Sequence, residues 1–423
     1  MTLIYMIITL GIMVIVHELG HFLVAKLFKI GVPVFSIGMG KRLFGITKNG
    51  TDYRVSLMPF GGYVHLKGME TFEQGEKDDD DFMVKHPLKR IAVIFSGPFA
   101  NFILSFILLF IMTLAFGVSY MPNTPVYSIA SPYDSLFLRG DFIESVNGND
   151  IKYYIDIFKY LKPNEINNIS ILRDGADKEV AFKLDKPDSF LIYPEICTKV
   201  GMVSPGSPAE KSGIMKNDII LAIDTLNIKT WQEMSEIIKQ SYDISLSIKI
   251  ERGADTLLLS VIPEKKEQQD GDSTMYYGVV GIGYSSELMK PGFKQGISLT
   301  IERVNYIASS IVKFLAQLFT GKMSVKNLGG PISIYTMTGE SLKWGFDSFL
   351  AFVAFFSLNL FIFNLIPFPP LDGSYILIFL FELFTKKRAT TKFMNIYQQI
   401  GFVTLMLLIV LVSFNDILRI VMK

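Results

Sequence analysis

The chain has 423 residues, of which half are apolar, 13% aromatic and only 19% charged, with a mean hydropathy of +0.36. At about 100 to 200 residues per domain it divides into two to four units, and so apolar a composition excludes an ordinary soluble enzyme and makes lipid the solvent of part of the chain. The net charge of +1 carries no long block of one sign, which excludes a nucleic-acid footprint, and the single Cys197 excludes an internal disulfide framework and a cysteine-based zinc site.

A membrane-crossing helix needs roughly 20 mainly apolar residues, and the first stretch of that kind runs from about 3 to 26. No Lys or Arg precedes its apolar core and no small-residue cleavage site closes it, so it is expected to be retained rather than removed as a signal peptide. It contains H-E-L-G-H at 17 to 21. On a helix His17 and His21 lie on one face about one turn apart and can grip one metal, while Glu18 projects from the next position toward a metal-bound water. This is the H-E-x-x-H zinc pattern, and ionisable groups at membrane depth are costly unless they serve a site.

The segment from 27 to 90 is rich in Lys and Arg, among them Lys29, Lys41, Arg42, Lys77 and Arg90, and D-Y-R-V-S-L-M-P-F-G-G-Y-V-H (52 to 65) alternates as a strand does. A second apolar stretch follows at about 91 to 119. From 122 to 265 the texture is that of soluble β-rich domains. V-G-M-V-S-P-G-S-P-A-E-K-S-G-I-M-K-N-D-I-I-L-A-I-D (200 to 224) echoes the poorer L-R-G-D-F-I-E-S-V-N-G-N-D-I (138 to 151), which gives two domains, 122 to 195 and 196 to 265. The strand I-S-L-S-I-K-I-E-R-G (244 to 253) should end in a turn, and E-K-K-E-Q-Q-D-G-D-S (264 to 273) reads as a polar linker. The rest of 266 to 345 holds a helical repeat at 293 to 319, interrupted by Lys294, Glu302, Arg303 and Lys313, which suits an amphipathic helix on the membrane or packed on the protein.

A third apolar stretch, 348 to 366, runs into N-L-I-P-F-P-P-L-D-G-S-Y, where three prolines forbid continuous helix. Residues 374 to 384 are apolar but too short to span, and a fourth stretch covers about 398 to 420. Basic residues before the second stretch and at Lys386, Lys387, Arg388 and Lys392 place both of those loops in the cytoplasm, leaving the N-terminus, residues 121 to 345 and the C-terminus outside. Catalytic zinc takes three protein ligands and one water. His65 and His86 are candidates for the third ligand, but Asp372 is better, because the first and third spans run the same way and bring His17, His21 and Asp372 to similar depth toward the cytoplasmic side.

These motifs, with F-S-I-G-M-G (35 to 40), M-P-F-G-G-Y-V (58 to 64), S-G-P-F-A-N (96 to 101) and L-G-G-P-I-S-I (328 to 334), resemble the site-2 protease family, the intramembrane zinc metalloproteases of the bacterial regulator of sigma-E protease type. The resemblance spans nearly the whole chain. It implies a polytopic α-helical membrane protein with about four transmembrane helices, a re-entrant β element at about 52 to 65 and two extracytoplasmic PDZ-like α+β domains, set in the bacterial inner membrane. It further implies zinc on His17, His21 and Asp372, Glu18 as general base, and substrate contacts from Asn364, Asn359, Pro367, Gly61, Gly62 and Tyr63. The expected substrates are the membrane segments of single-span proteins, such as an anti-sigma factor or signal-peptide remnants, cut second after another protease. A peptide or ectodomain remnant is expected at the PDZ-like domains, whose K-V-G-M-V would be a peptide-capturing loop. Two departures stand out: Ser374 replaces a glycine common in the family, and Lys41 a common proline. The rival reading is a membrane-anchored PDZ scaffold whose metal site is structural.

Overall fold

The computed structural model describes residues 1–69, 78–185, 190–270, 273–323 and 328–421; Lys77 lies outside them. The chain forms two compact units, Met1–Phe116 with Pro291–Lys423, and Gly117–Lys290. Its helices in chain order are α1 (Thr2–Leu27), α2 (Pro87–Ala115), α3 (Tyr154–Tyr160), α4 (Pro208–Lys211), α5 (Trp231–Gln240), α6 (Phe293–Phe319), α7 (Pro331–Trp344), α8 (Phe346–Asn364), α9 (Asp372–Thr385) and α10 (Thr391–Val421).

In the first unit α1, α2, α8 and α10 are long and apolar enough to cross a membrane. The second of them begins earlier than the apolar stretch at 91 suggests. Pro87 fits the first turn, where its missing N–H costs nothing, and His86 caps it by accepting from the Leu88 amide through Nδ1 at 3.3 Å. The last also starts early, because the polar run from Thr391 is helical although hydropathy cannot see it. Helix α6 packs on the protein: Val304, Ile311 and Leu315 are buried with Leu109 and Met112 of α2 and Ala354 and Leu358 of α8. Helix α7 lies where a linker was expected. Pro331 opens it, and Asp416 of α10 caps it, accepting from the Ser333 amide and hydroxyl at 3.0 and 2.6 Å.

Two long strands, β1 (Val34–Lys48) and β2 (Thr51–His65), join through Asn49 and Gly50, both at positive φ, the turn that Asn-Gly favours in a hairpin. Their register doubles over, so that Val34 pairs with both His65 and Asp52, and the run from Gly62 to His65 lies along Val34–Ile37. The hairpin is fixed to α1 by edge-to-face contacts of Phe22 with Phe35 and Tyr53, and by Lys26 Nζ donating to Thr51 Oγ1 at 2.8 Å.

The second unit contains the expected internal echo as a structural duplication. Its strands are β3 (Val118–Tyr120), β4 (Val126–Ile129), β5 (Phe142–Val146), β6 (Asn149–Asp150), β7 (Ile166–Arg173), β8 (Ala176–Lys183), β9 (Ile192–Pro194), β10 (Val200–Val203), β11 (Ile219–Ile223), β12 (Leu226–Asn227), β13 (Leu246–Arg252), β14 (Asp255–Val261), β15 (Glu264–Asp270), β16 (Ser273–Val279), β17 (Ile282–Tyr284) and β18 (Glu287–Met289). One four-stranded sheet has the order β6-β5-β7-β8 and the other β12-β11-β13-β14, the same path traced twice. Each buries alternate residues of its central strand, Ile169 and Ile171 in one and Ile248 and Ile250 in the other, in a core of its own. The copies also share an ion pair. Asp141 accepts from Arg173 Nε at 2.7 Å and from the Leu138 amide at 2.8 Å, while Asp218 accepts from Arg252 Nε at 2.8 Å and from the Met215 amide at 2.7 Å.

The expected linker at 264 to 273 is instead the hairpin β15–β16, paired from Glu264/Val279 to Asp270/Ser273. The second lobe therefore runs past residue 265: β17 pairs with β10 and Val280 is part of its core. Val200–Val203, expected as a loop, is the strand that β17 covers.

Candidate metal centre

Three ligand-type atoms from two ends of the chain converge in the first unit. His17 Nε2 and His21 Nε2 on α1 are 3.1 Å apart, and Asp372 Oδ2, at the first residue of α9, lies 3.1 Å from His17 Nε2 and 3.6 Å from His21 Nε2. A tetrahedral zinc with bonds of ~2.0–2.1 Å spaces its ligand atoms about 3.3–3.4 Å apart, so the triangle has the size such an ion needs. Neither His65 nor His86 joins this group; His86 is the cap of α2.

The centre is held by its neighbours. His21 is buried, and its Nδ1 lies 2.8 Å from the Val93 carbonyl, a contact that makes Nδ1–H the donor and leaves Nε2 unprotonated for a metal. The ring lies directly over Gly97 of α2, where an added Cβ would stand 2.2 Å from Nε2. One residue earlier on each helix the two touch at Gly20, whose carbonyl accepts from Ser96 Oγ at 2.9 Å. Gly97 and the Val93 carbonyl are the parts that sequence reading missed. The S-G-P stretch was visible, but nothing in it announces a histidine overhead.

Asp372 is placed by the proline segment. Asn364 ends α8, and the chain turns through Pro367, Pro369 and Pro370 into α9. Gly373 is required there, since a Cβ would lie 2.4 Å from the carbonyls of both Leu365 and Ile366. Ser374 is fully buried and donates its hydroxyl to the Leu371 carbonyl at 2.7 Å, so its replacement of the family's glycine leaves no polar atom unpaired.

Glu18 lies toward the β hairpin: its carboxylate accepts from the Val64 amide of β2, and its Cγ would be 3.4 Å from a Cβ at Gly62. Gly61, at φ +82°, packs on Met39, and Tyr63 bonds Arg54. Of the remaining expected contacts, Asn364 is half-buried at the end of α8 and Pro367 is exposed in the loop. Asn359 is half-buried, and its side-chain amide donates to the Phe355 carbonyl of its own helix at 2.9 Å.

A second carboxylate group, Asp78, Asp80 and Asp81, of which Asp78 is exposed, is gathered around Lys67, whose Nζ is 2.7 and 2.6 Å from the first two. It is an ion-pair cluster on a loop.

Comparison with known proteins gives concordant results. A family model described as peptidase family M50 matches residues 5–408. The chain is 31% identical to a protein of Haemophilus influenzae named regulator of sigma E protease, over 98% of each chain. It is 30% identical to one of Yersinia pestis named protease RseP, over 98% of this chain and 97% of the other, and 30% identical to a "putative zinc metalloprotease" of Neisseria meningitidis over 99% of each.

Proposed function

This chain belongs to peptidase family M50 and is an intramembrane zinc metalloprotease of regulated intramembrane proteolysis, and from that premise we propose that His17, His21 and Asp372 hold the zinc while Glu18 is the general base. The observation that carries the assignment is the triangle of His17 Nε2, His21 Nε2 and Asp372 Oδ2, with Glu18 one residue along α1. Bound there, zinc supplies Lewis acidity toward the scissile carbonyl and lets a water lose its proton near neutral pH. The Glu18 carboxylate, aligned by the Val64 amide, takes that proton and returns it to the leaving nitrogen. His21 keeps Nε2 available by donating from Nδ1 to Val93.

A helical substrate shields its own carbonyls with hydrogen bonds, so it must be drawn out before it can react. The β2 run Gly62–His65, beside Glu18, offers an edge on which an extended segment adds as a further strand, and Asn364 supplies an amide at the end of α8. The substrates are single-span membrane proteins, and the centre faces the cytoplasmic side. The two lobes of the second unit are PDZ-like domains that hinder substrates still carrying bulky ectodomains. In the second lobe a groove of about 150 Å³ between α5 and the segment Tyr277–Ile282 suits a peptide remnant.

The test is cleavage of a single-span substrate with a short ectodomain, co-expressed with this chain or its Glu18→Gln variant. Product that requires Glu18 supports the assignment. Equal product from both variants overturns it.

A further inference from the structure

One cleft in the first unit is not accounted for by the metal centre. It encloses about 370 Å³ between the β2 run from Tyr63, Tyr375 of α9 and the start of α10, where Met394, Asn395 and Gln398 line it. It begins at the centre itself. Val64 in its wall is the residue whose amide holds Glu18, and Tyr375 stands about one helical turn from Asp372 on α9.

Its walls carry hydrogen-bonding groups on several sides: a strand of backbone, a phenol and two side-chain amides. Gln398 Nε2 is buried and has no hydrogen-bond partner among the described residues. A buried amide left unpaired is costly, and an aliphatic guest would leave it so. The amide is also presented from a fixed point. Three residues on, Gly401 packs directly against the Pro369 carbonyl, where a Cβ would be 2.2 Å away, which pins the start of α10 to the loop before Asp372.

We propose that this cleft receives the side chain of a substrate residue flanking the scissile bond and selects an amide or hydroxyl there, with Gln398 and Asn395 as the specificity-determining residues. The proposal rests on the reading of β2 as the substrate-pairing edge and of Glu18 as the base. The chosen residue would serve twice: Asn and Ser are poor formers of helix interiors, so the side chain that fits the cleft also loosens the helix that must open.

The experiment uses the full-length protein in membranes with a set of single-span substrates, each carrying Asn or Leu at one of the three positions on either side of a mapped cleavage site. The expected result is a position at which Asn is preferred, and a fall of about fivefold in the Asn-to-Leu rate ratio there in Gln398→Leu, the size of one net hydrogen bond. A purely structural defect slows both substrates together and leaves the ratio alone. An unchanged ratio in both Gln398→Leu and Asn395→Leu, or no preference at any position in the parent protein, overturns the pocket. Absence of any Glu18-dependent product overturns the reading of the site beneath it, which the Glu18→Gln control reveals separately.

Discussion

His17 Nε2 and Asp372 Oδ2, contributed by opposite ends of the chain, lie 3.1 Å apart. With His21 they form the proposed zinc site, whose proposed ligand and base roles are separable by experiment. His17→Ala and Asp372→Ala should each lose bound zinc, measured by metal analysis of the purified protein, together with activity. Glu18→Gln should keep its zinc and lose about 100-fold or more in rate. A metal-free Glu18→Gln protein would contradict that division of labour.

Gly97 is a spacing residue for His21. Gly97→Ala puts a methyl group 2.2 Å from Nε2, so it should lower zinc occupancy and activity together, although alanine is the better helix former. Gly11 on α1 has nothing within 4 Å of a built Cβ, and Gly11→Ala is the matched control, expected to keep full activity and gain up to about 1 kcal/mol of stability.

Arg90 is completely buried, donating to Glu382 at 2.7 Å and lying 4.6 Å from the Phe379 ring, and it ties the start of α2 to the far end of α9. Arg388 also reaches Glu382, its Nε 3.0 Å from the same oxygen, but the fully buried Arg90 has no other carboxylate among the described residues, so removing Glu382 strands its charge. Glu382→Ala should therefore cost about 3–5 kcal/mol, and pairing Arg90→Met with Glu382→Leu should recover much of it. Thermal unfolding in detergent decides this: a double variant weaker than either single one would show that the charges do more than cancel each other.

The paired lobes predict a pH dependence. Burial works against the charge of Asp218, but the Arg252 guanidinium and the Met215 amide outweigh it and hold the carboxyl below its ordinary value; Arg173 and Leu138 do the same for Asp141. A lowered folded pKa gives stability that is complete above the unfolded value, about 3.9, and that drains away as pH falls through the folded one. Arg252→Ala should then cost about 1.5–3 kcal/mol at pH 7, the size of a hydrogen bond to a charged group, with the difference shrinking below about pH 4. Urea unfolding followed by Trp231 fluorescence in a Trp344→Phe background reads it.

Legibility in the sequence followed the range of the physics. His17, Glu18 and His21 could be read because a helix imposes their spacing, and Asp372 because three prolines and a matching depth singled it out. The Asn49-Gly50 turn and the Gly330-Pro331 helix start are local signals of the same kind. What could not be read was close approach. Gly97 and Gly401 matter because another segment, distant in sequence, passes within a bond length or two of where a side chain would be. Residues 264 to 273 misled for the opposite reason, since β15 carries charged and amide residues on both faces and so lacks the alternation that marks a half-buried strand.

The assembly of the centre from α1, held by α2 and completed by α9, bears on how the protein is made. A chain emerging N-terminus first brings out both histidines and the glutamate early, yet on the proposed ligand set it lacks the third ligand until residue 372 has been synthesised and the last spans have begun to pack. An unfinished chain is thus a harmless one. A hydrolase that works among other proteins' membrane segments during their insertion gains a safeguard from this order of synthesis, because its own incomplete copies cannot cut the neighbours inserted beside them.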